Sequence, residues 1–158
     1  GGKVYYNLDI LTGGAGVILI QGSNTFNAIT IAAPKSVRFT AGTTQTIANA
    51  PTWTGSNGSL ITIDSSTGGS AATLNVLGEV DVICDWLSLK DSTAAGITPF
   101  YAGANSTNVS GNTNWTFAAG PTDAFGVAGT GVVDGVGVVN PHFIRGVVSP
   151  YGVSQRMI

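Results

Sequence analysis

Leu8-Asp9-Ile10 returns as Ile29-Thr30-Ile31 after 21 residues. Val17-Ile18-Leu19-Ile20 returns as Val37-Arg38-Phe39-Thr40 after 20 residues, and again as Leu60-Ile61-Thr62-Ile63 after 23 more. A third short stretch is interleaved with these: Asn24 to Asn27, then Thr44 to Ile47, then Ala72 to Asn75. Ala28 to Ile31 and Trp86-Leu87-Ser88-Leu89 have the same texture. Each stretch is short, rich in β-branched residues and bounded by Gly, Pro, Asn or Ser, which is the local chemistry of a strand between turns. The 23 glycines interrupt nearly every window. No longer segment keeps the i, i+3, i+4, i+7 apolar spacing that a helix needs.

Interleaved strands that recur at a nearly fixed interval describe coils stacked on one another. The expected fold is therefore all-β, a parallel β-solenoid of three to four short coils. Alternate residues of its strands, among them Leu8, Ile10, Ile29, Ile31, Val37, Phe39, Ile61 and Ile63, would face one continuous core. The alternative is an antiparallel β-sandwich, which also uses many short, evenly spaced strands. Asn57-Gly58 is the single dipeptide of the two-residue hairpin type that would favour it. The texture changes near residue 93: Ala94 to Thr116 reads as a loop, and Gly131 to Val139 is Gly/Val-rich and outside the repeat. The expected division is residues 1–118 as the solenoid and 119–158 as a C-terminal capping or assembly segment.

Composition narrows function. Hydrophobic residues make up 43% of the chain, which argues for a folded core, while charged residues make up only 9%. Gly, Thr, Ser and Asn take the place of charge, as on many extracellular fibres. The six cations are scattered, so no basic footprint for nucleic acid is present. No apolar run has the ~18 residues of a membrane helix. Cys84 is the single cysteine; it excludes an intrachain disulfide and reads as a small buried hydrophobe. The chain opens on Gly1-Gly2 without an initiator Met, as expected for a processed product or a piece of a longer protein.

Three groups of residues are candidates for chemistry. Asp64, Asp81 and Asp85, with Lys35 or Arg38 on the same wall, could form an acid/base or cation site, but Asp also favours solvated turns. His142 stands alone, and the glycine runs near residues 13 and 129 open no helix, so no phosphate loop is formed. Trp86, Tyr101 and Trp115 could form a sugar-binding platform. The wider aromatic set, with Trp53, Phe100 and Phe117, reads better as a plug closing one end of the solenoid.

Three stretches resemble a module of phage tail- and capsid-associated and bacterial surface proteins. They are Val4-Tyr5-Tyr6-Asn7-Leu8 with Gly22 to Asn27, then Val37 to Thr46, then Leu87 to Ser92 with Phe100 to Ser106 and Gly111 to Phe117. Asn114 stands where that module often has Gly before its Trp. The resemblance implies a right-handed parallel β-helix and a non-enzymatic structural role in a virion, as a tail fibre or capsid decoration, without cofactors. It also implies a virion or extracellular location and homo-oligomeric partners, trimeric or polymeric, beside other virion proteins. The expected assembly contacts are Val132, Val133, Val136, Val138, Val139, Phe143 and Ile144. Two alternatives remain: an adhesin module binding host surface glycans, and a subunit of a cellular extracellular filament.

Overall fold

The computed structural model describes residues 2–14 and 16–121. These hold thirteen strands, numbered in chain order, and no helix. One five-stranded sheet stacks β1 (Val4–Ile10), β3 (Asn24–Ile31), β5 (Thr44–Ile47), β7 (Ala72–Val76) and β10 (Ser92–Gly96) in that order. A second stacks β2 (Val17–Ile20), β4 (Ser36–Phe39), β6 (Ile61–Ser65), β9 (Leu87–Lys90) and β12 (Thr107–Ser110). A smaller sheet aligns β8 (Val82–Ile83), β11 (Phe100–Tyr101) and β13 (Trp115–Thr116).

Every ladder between these strands is parallel. The antiparallel sandwich is therefore not the architecture. Asn57-Gly58 does form a two-residue turn, in which Ser59 N donates to Ser56 O at 2.8 Å and Ser56 N donates to Ser59 O at 3.1 Å. No strand continues from either side of that bridge. A turn dipeptide specifies a turn, and hairpin strands need flanking partners that are absent here.

The register agrees with the sequence at Leu8 on Ile29 and Ile10 on Ile31. Elsewhere it slips. Val17 lies on Ser36 rather than Val37, Val37 lies on Ile63 rather than Leu60, and Asn24 lies on Gln45 rather than Thr44. Side chains alternate with a period of two, so a one-residue slip exchanges the inner and outer faces. The observed register places Ile18 and Ile20 on the buried Val37 and Phe39, and turns Val17 and Leu19 outward. Burial of the apolar rows decides the register.

Two further expectations are corrected. Asn24 to Asn27 and Ala28 to Ile31 form one strand, β3, whose inward phase changes midway: Asn24 and Phe26 are buried, then Ile29 and Ile31. Ala94 to Thr116, expected as a loop, carries part of β10 and all of β11, β12 and β13, so each large sheet reaches five strands. Its small and polar residues give little apolar signal, yet they extend ladders that are already formed.

The core is a set of stacked rows. Ile18, Val37, Ile63 and Leu89 succeed one another across the second sheet; Tyr5, Phe26, Ile47 and Val76 do so across the first. Burial of each large aliphatic side chain contributes roughly 1.5–3 kcal/mol. Polar residues enter these rows only with partners. Gln45 is fully buried, accepts from Asn24 Nδ2 at 3.0 Å and donates to Gly22 O at 2.8 Å. No buried side-chain polar atom among the described residues lacks a partner. Contacts group Gly1–Pro121 as one compact unit.

Candidate functional site

The aromatic candidates separate. Trp115 is buried, its ring edge-on to Phe100 at 5.2 Å, and its Nε1 donates to Ser92 Oγ at 3.2 Å. Val82, Phe100 and Trp115 form one inward row across the small sheet. Trp115 is thus a core residue of the last rung, and a platform built on its ring is not what the fold presents. Trp86 is half-buried in a left-handed turn at φ 57°, and Tyr101 is half-buried on β11. Trp53 belongs to the interior, where its Nε1 donates to Ile29 O at 2.8 Å, so it is not part of an end plug. Trp115 and the partly buried Phe117 do close the last rung.

Four of the charged candidates are engaged in separate structural contacts, and Asp81 is half-buried in the segment before β8, joined to none of them. Arg38 and Asp64 form a two-pronged pair on the outer face, at 2.9 and 2.8 Å. Lys35 is buried and donates from Nζ to the carbonyls of Gly13 and Gly14, strapping the turn between β1 and β2. Asp85 Oδ1 accepts from Trp86 N at 2.9 Å and Asn105 N at 3.0 Å, and its Oδ2 accepts from Asn105 Nδ2 at 2.8 Å. No cluster of three His, Cys, Asp or Glu residues gathers among the described residues. Cys84 is buried, and burial pushes its thiol pKa up to about 12.

Asp85 carries a pH signature. Burial alone would raise its pKa, but the bonds from the Asn105 side chain, Asn105 N–H and Trp86 N–H outweigh it and leave the carboxyl below its ordinary value. The contribution to stability is therefore complete above the unfolded value of about 3.9 and is lost as pH falls through the lower folded value. Asp85→Asn is expected to flatten the acid limb of thermal stability below about pH 4. Melting curves of both proteins across pH 2–5 check this; parallel curves would count against it.

Along β10, side-chain amides and Thr113 bond the strand edge, while β12 and β13 each have a described strand on one side. Asn112 accepts from Ser92 N at 3.0 Å and donates to Leu89 O at 2.8 Å, and Asn114 donates to Ala94 O at 3.1 Å. β12 is polar apart from Val109. Among the described residues, β1 has β3 beside it and β2 has β4, each on one side. Val4, Tyr6 and Leu11 are 82%, 80% and 65% exposed, and Val17 and Leu19 are also exposed. Between the two strands opens a groove of about 550 Å³, lined by Lys3, Tyr5, Leu8, Ile18, Ile20 and Phe26 among others.

The rows that run through the molecule end unfilled in this groove. Tyr5 stacks on Phe26 with ring centroids 5.3 Å apart and planes 14° from parallel, leaving its other face open. Asn27 Nδ2 donates to Asn7 Oδ1 at 3.0 Å, and Asn49 Nδ2 donates to Asn27 Oδ1 at 3.0 Å. This asparagine ladder stops at Asn7, which is exposed. The recurrence of Asn7, Asn27 and Asn49 is a polar signal in the sequence beside the apolar one.

No family of known proteins matches the chain, and neither a curated protein nor a solved structure is detectably similar to it. Val132, Val133, Val136, Val138, Val139, Phe143, Ile144 and His142 lie outside the described residues. No helix among the described residues is long and apolar enough to cross a membrane.

Proposed function

We propose that the chain is a non-enzymatic building block, a short right-handed parallel β-helix that acts by assembling with other protein. The observation that carries this reading is the set of exposed apolar side chains on β1 and β2, Val4, Tyr6, Val17 and Leu19, beside an apolar groove. Strand edges and apolar faces of this kind are templates for further pairing. Exposed apolar patches of this kind mark contact surfaces.

Two of the candidate acids support the same reading, because Asp64 and Asp85 are held in separate structural contacts. We place the protein in a phage virion, as a tail-fibre or capsid-decoration component, on the resemblance of residues 4 to 117 and the low-charge, hydroxyl-rich composition. The filament subunit is the same mechanism in another setting. The glycan-binding alternative loses its central residue with the burial of Trp115. Light scattering on the purified chain across a hundredfold concentration range tests the proposal. A concentration-dependent oligomer is expected, and a monomer throughout would overturn it.

A further inference from the structure

We infer that Asn57 is a self-acting modification site, where the side-chain amide is lost and the turn gains a carboxylate. The inference is independent of the assembly reading. Asn57-Gly58 is the single Asn-Gly pair in the 158 residues. It forms the tip of the turn between Ser56 and Ser59, and both of its residues are exposed. The two bonds that close the turn use the N–H and C=O groups of Ser56 and Ser59, so Gly58 N–H takes no part in backbone pairing. Gly58 lies at φ 78°, and nothing is within 4 Å of the place where a Cβ would stand. The backbone nitrogen that follows Asn57 is thus uncovered, on a residue with no side chain to shield it.

The chemistry follows from that placement. Gly58 N attacks Asn57 Cγ and closes a five-membered ring made of that nitrogen and Asn57 C, Cα, Cβ and Cγ. The Cγ–Nδ2 bond breaks, the Gly58 amide proton leaves with that nitrogen, and ammonia is released. Water then adds at either ring carbonyl and breaks its bond to Gly58 N. The product is an aspartyl or an isoaspartyl link, and no oxidant or reductant takes part. Other asparagines are held against this reaction. Asn24, Asn27, Asn49, Asn105, Asn112 and Asn114 each donate from Nδ2 to a partner at 2.8–3.1 Å, and none of them precedes a glycine. The nitrogen after Asn24 or Asn112 is also engaged, Thr25 N with Lys3 O and Thr113 N with Ser92 O. The consequence at residue 57 stays local. The base of the turn is fixed by Gly55 N donating to Asp85 O at 3.0 Å and Ile61 N donating to Trp86 O at 3.1 Å. An isoaspartyl link lengthens the turn by one carbon outside those bonds, and adds one negative charge to a chain of formal net charge −2. The coil gains charge with age and keeps its ladders.

The test is incubation of the full folded chain in mildly alkaline buffer, followed by peptide mass spectrometry and labelling with an isoaspartyl methyltransferase. Residue 57 is expected to lose its amide at least about tenfold faster than any other asparagine among the described residues, with the melting midpoint unchanged. Asn57→Gln, whose longer side chain would have to close a six-membered ring, is expected to abolish the signal. The same chain in urea is the control for the fold. A folded rate close to the unfolded rate supports the open turn, whereas reaction at residue 57 in urea alone would overturn the inference. Equal loss of amide at the hydrogen-bonded asparagines of the folded chain would overturn it as well.

Discussion

Phe39→Ala is expected to lower the unfolding free energy by about 3–5 kcal/mol. Phe39 is 1% exposed on β4, between β2 and β6 in the second sheet. Its neighbours in the row are Ile20 on one side and Ser65 on the other, and Ser65 cannot expand to fill a phenyl-sized void. The strand above and the strand below are both held by continuous ladders, so collapse around the cavity is limited. Because each rung rests only on its neighbours, a cavity at this level weakens the coupling between the two halves of the stack. Urea unfolding followed by circular dichroism checks the value. Val109→Ala, at an exposed site on β12, is expected to stay within about 0.5 kcal/mol. Similar midpoints for the two variants would contradict the assignment of the core.

Gly103→Ala is expected to cost about 2–4 kcal/mol, from backbone strain and overpacking together. Gly103 is buried at φ 93°, and a methyl group there would run into the Asp85 carboxylate and the Cys84 carbonyl. The substitution would force apart the place where Asp85 accepts hydrogen bonds from Asn105. Gly42→Ala is the matched control. Gly42 also has positive φ, at 71°, but nothing lies within 4 Å of an added methyl. It is expected to cost about 1–2 kcal/mol, the left-handed conformational penalty alone. The difference between the variants measures the close approach of the two rungs. Equal losses would show that backbone conformation, not contact, sets the requirement for glycine at residue 103.

The legibility of the fold followed the distribution of apolar residues. Residues 8 to 31 and 36 to 63 carry β-branched rows, and the strands there were evident with their inward residues. Seven of the eight residues expected to face the core are buried, and Leu8 is half-buried. Ala94 to Thr116 was opaque because Ala, Ser, Thr and Asn carry neither a burial period nor a strong strand preference. Those residues become strands by adding to edges that β7 and β9 already provide.

The site was legible only in part. Trp86, Tyr101 and Trp115 stood out as aromatic residues, but a list of rings does not say which ring points inward. Trp115 is drawn into the row of Val82 and Phe100 by the register of the small sheet. The exposure of Val4, Tyr6 and Leu19 was invisible in the same way: they read as ordinary strand residues, and which face they turn outward is set by the register of β1 on β3 and β2 on β4.

By itself, the sequence determined that the chain is built of short strands, that the strands recur about every twenty residues and that helices are excluded. Those are local properties, set by side-chain branching, alternation and the placement of glycine and asparagine. Only the tertiary structure decided the register, the parallel direction of every described ladder and the burial of Trp115. Each of these depends on which strand lies beside which, and that is settled by burying the apolar rows together while pairing every buried polar group.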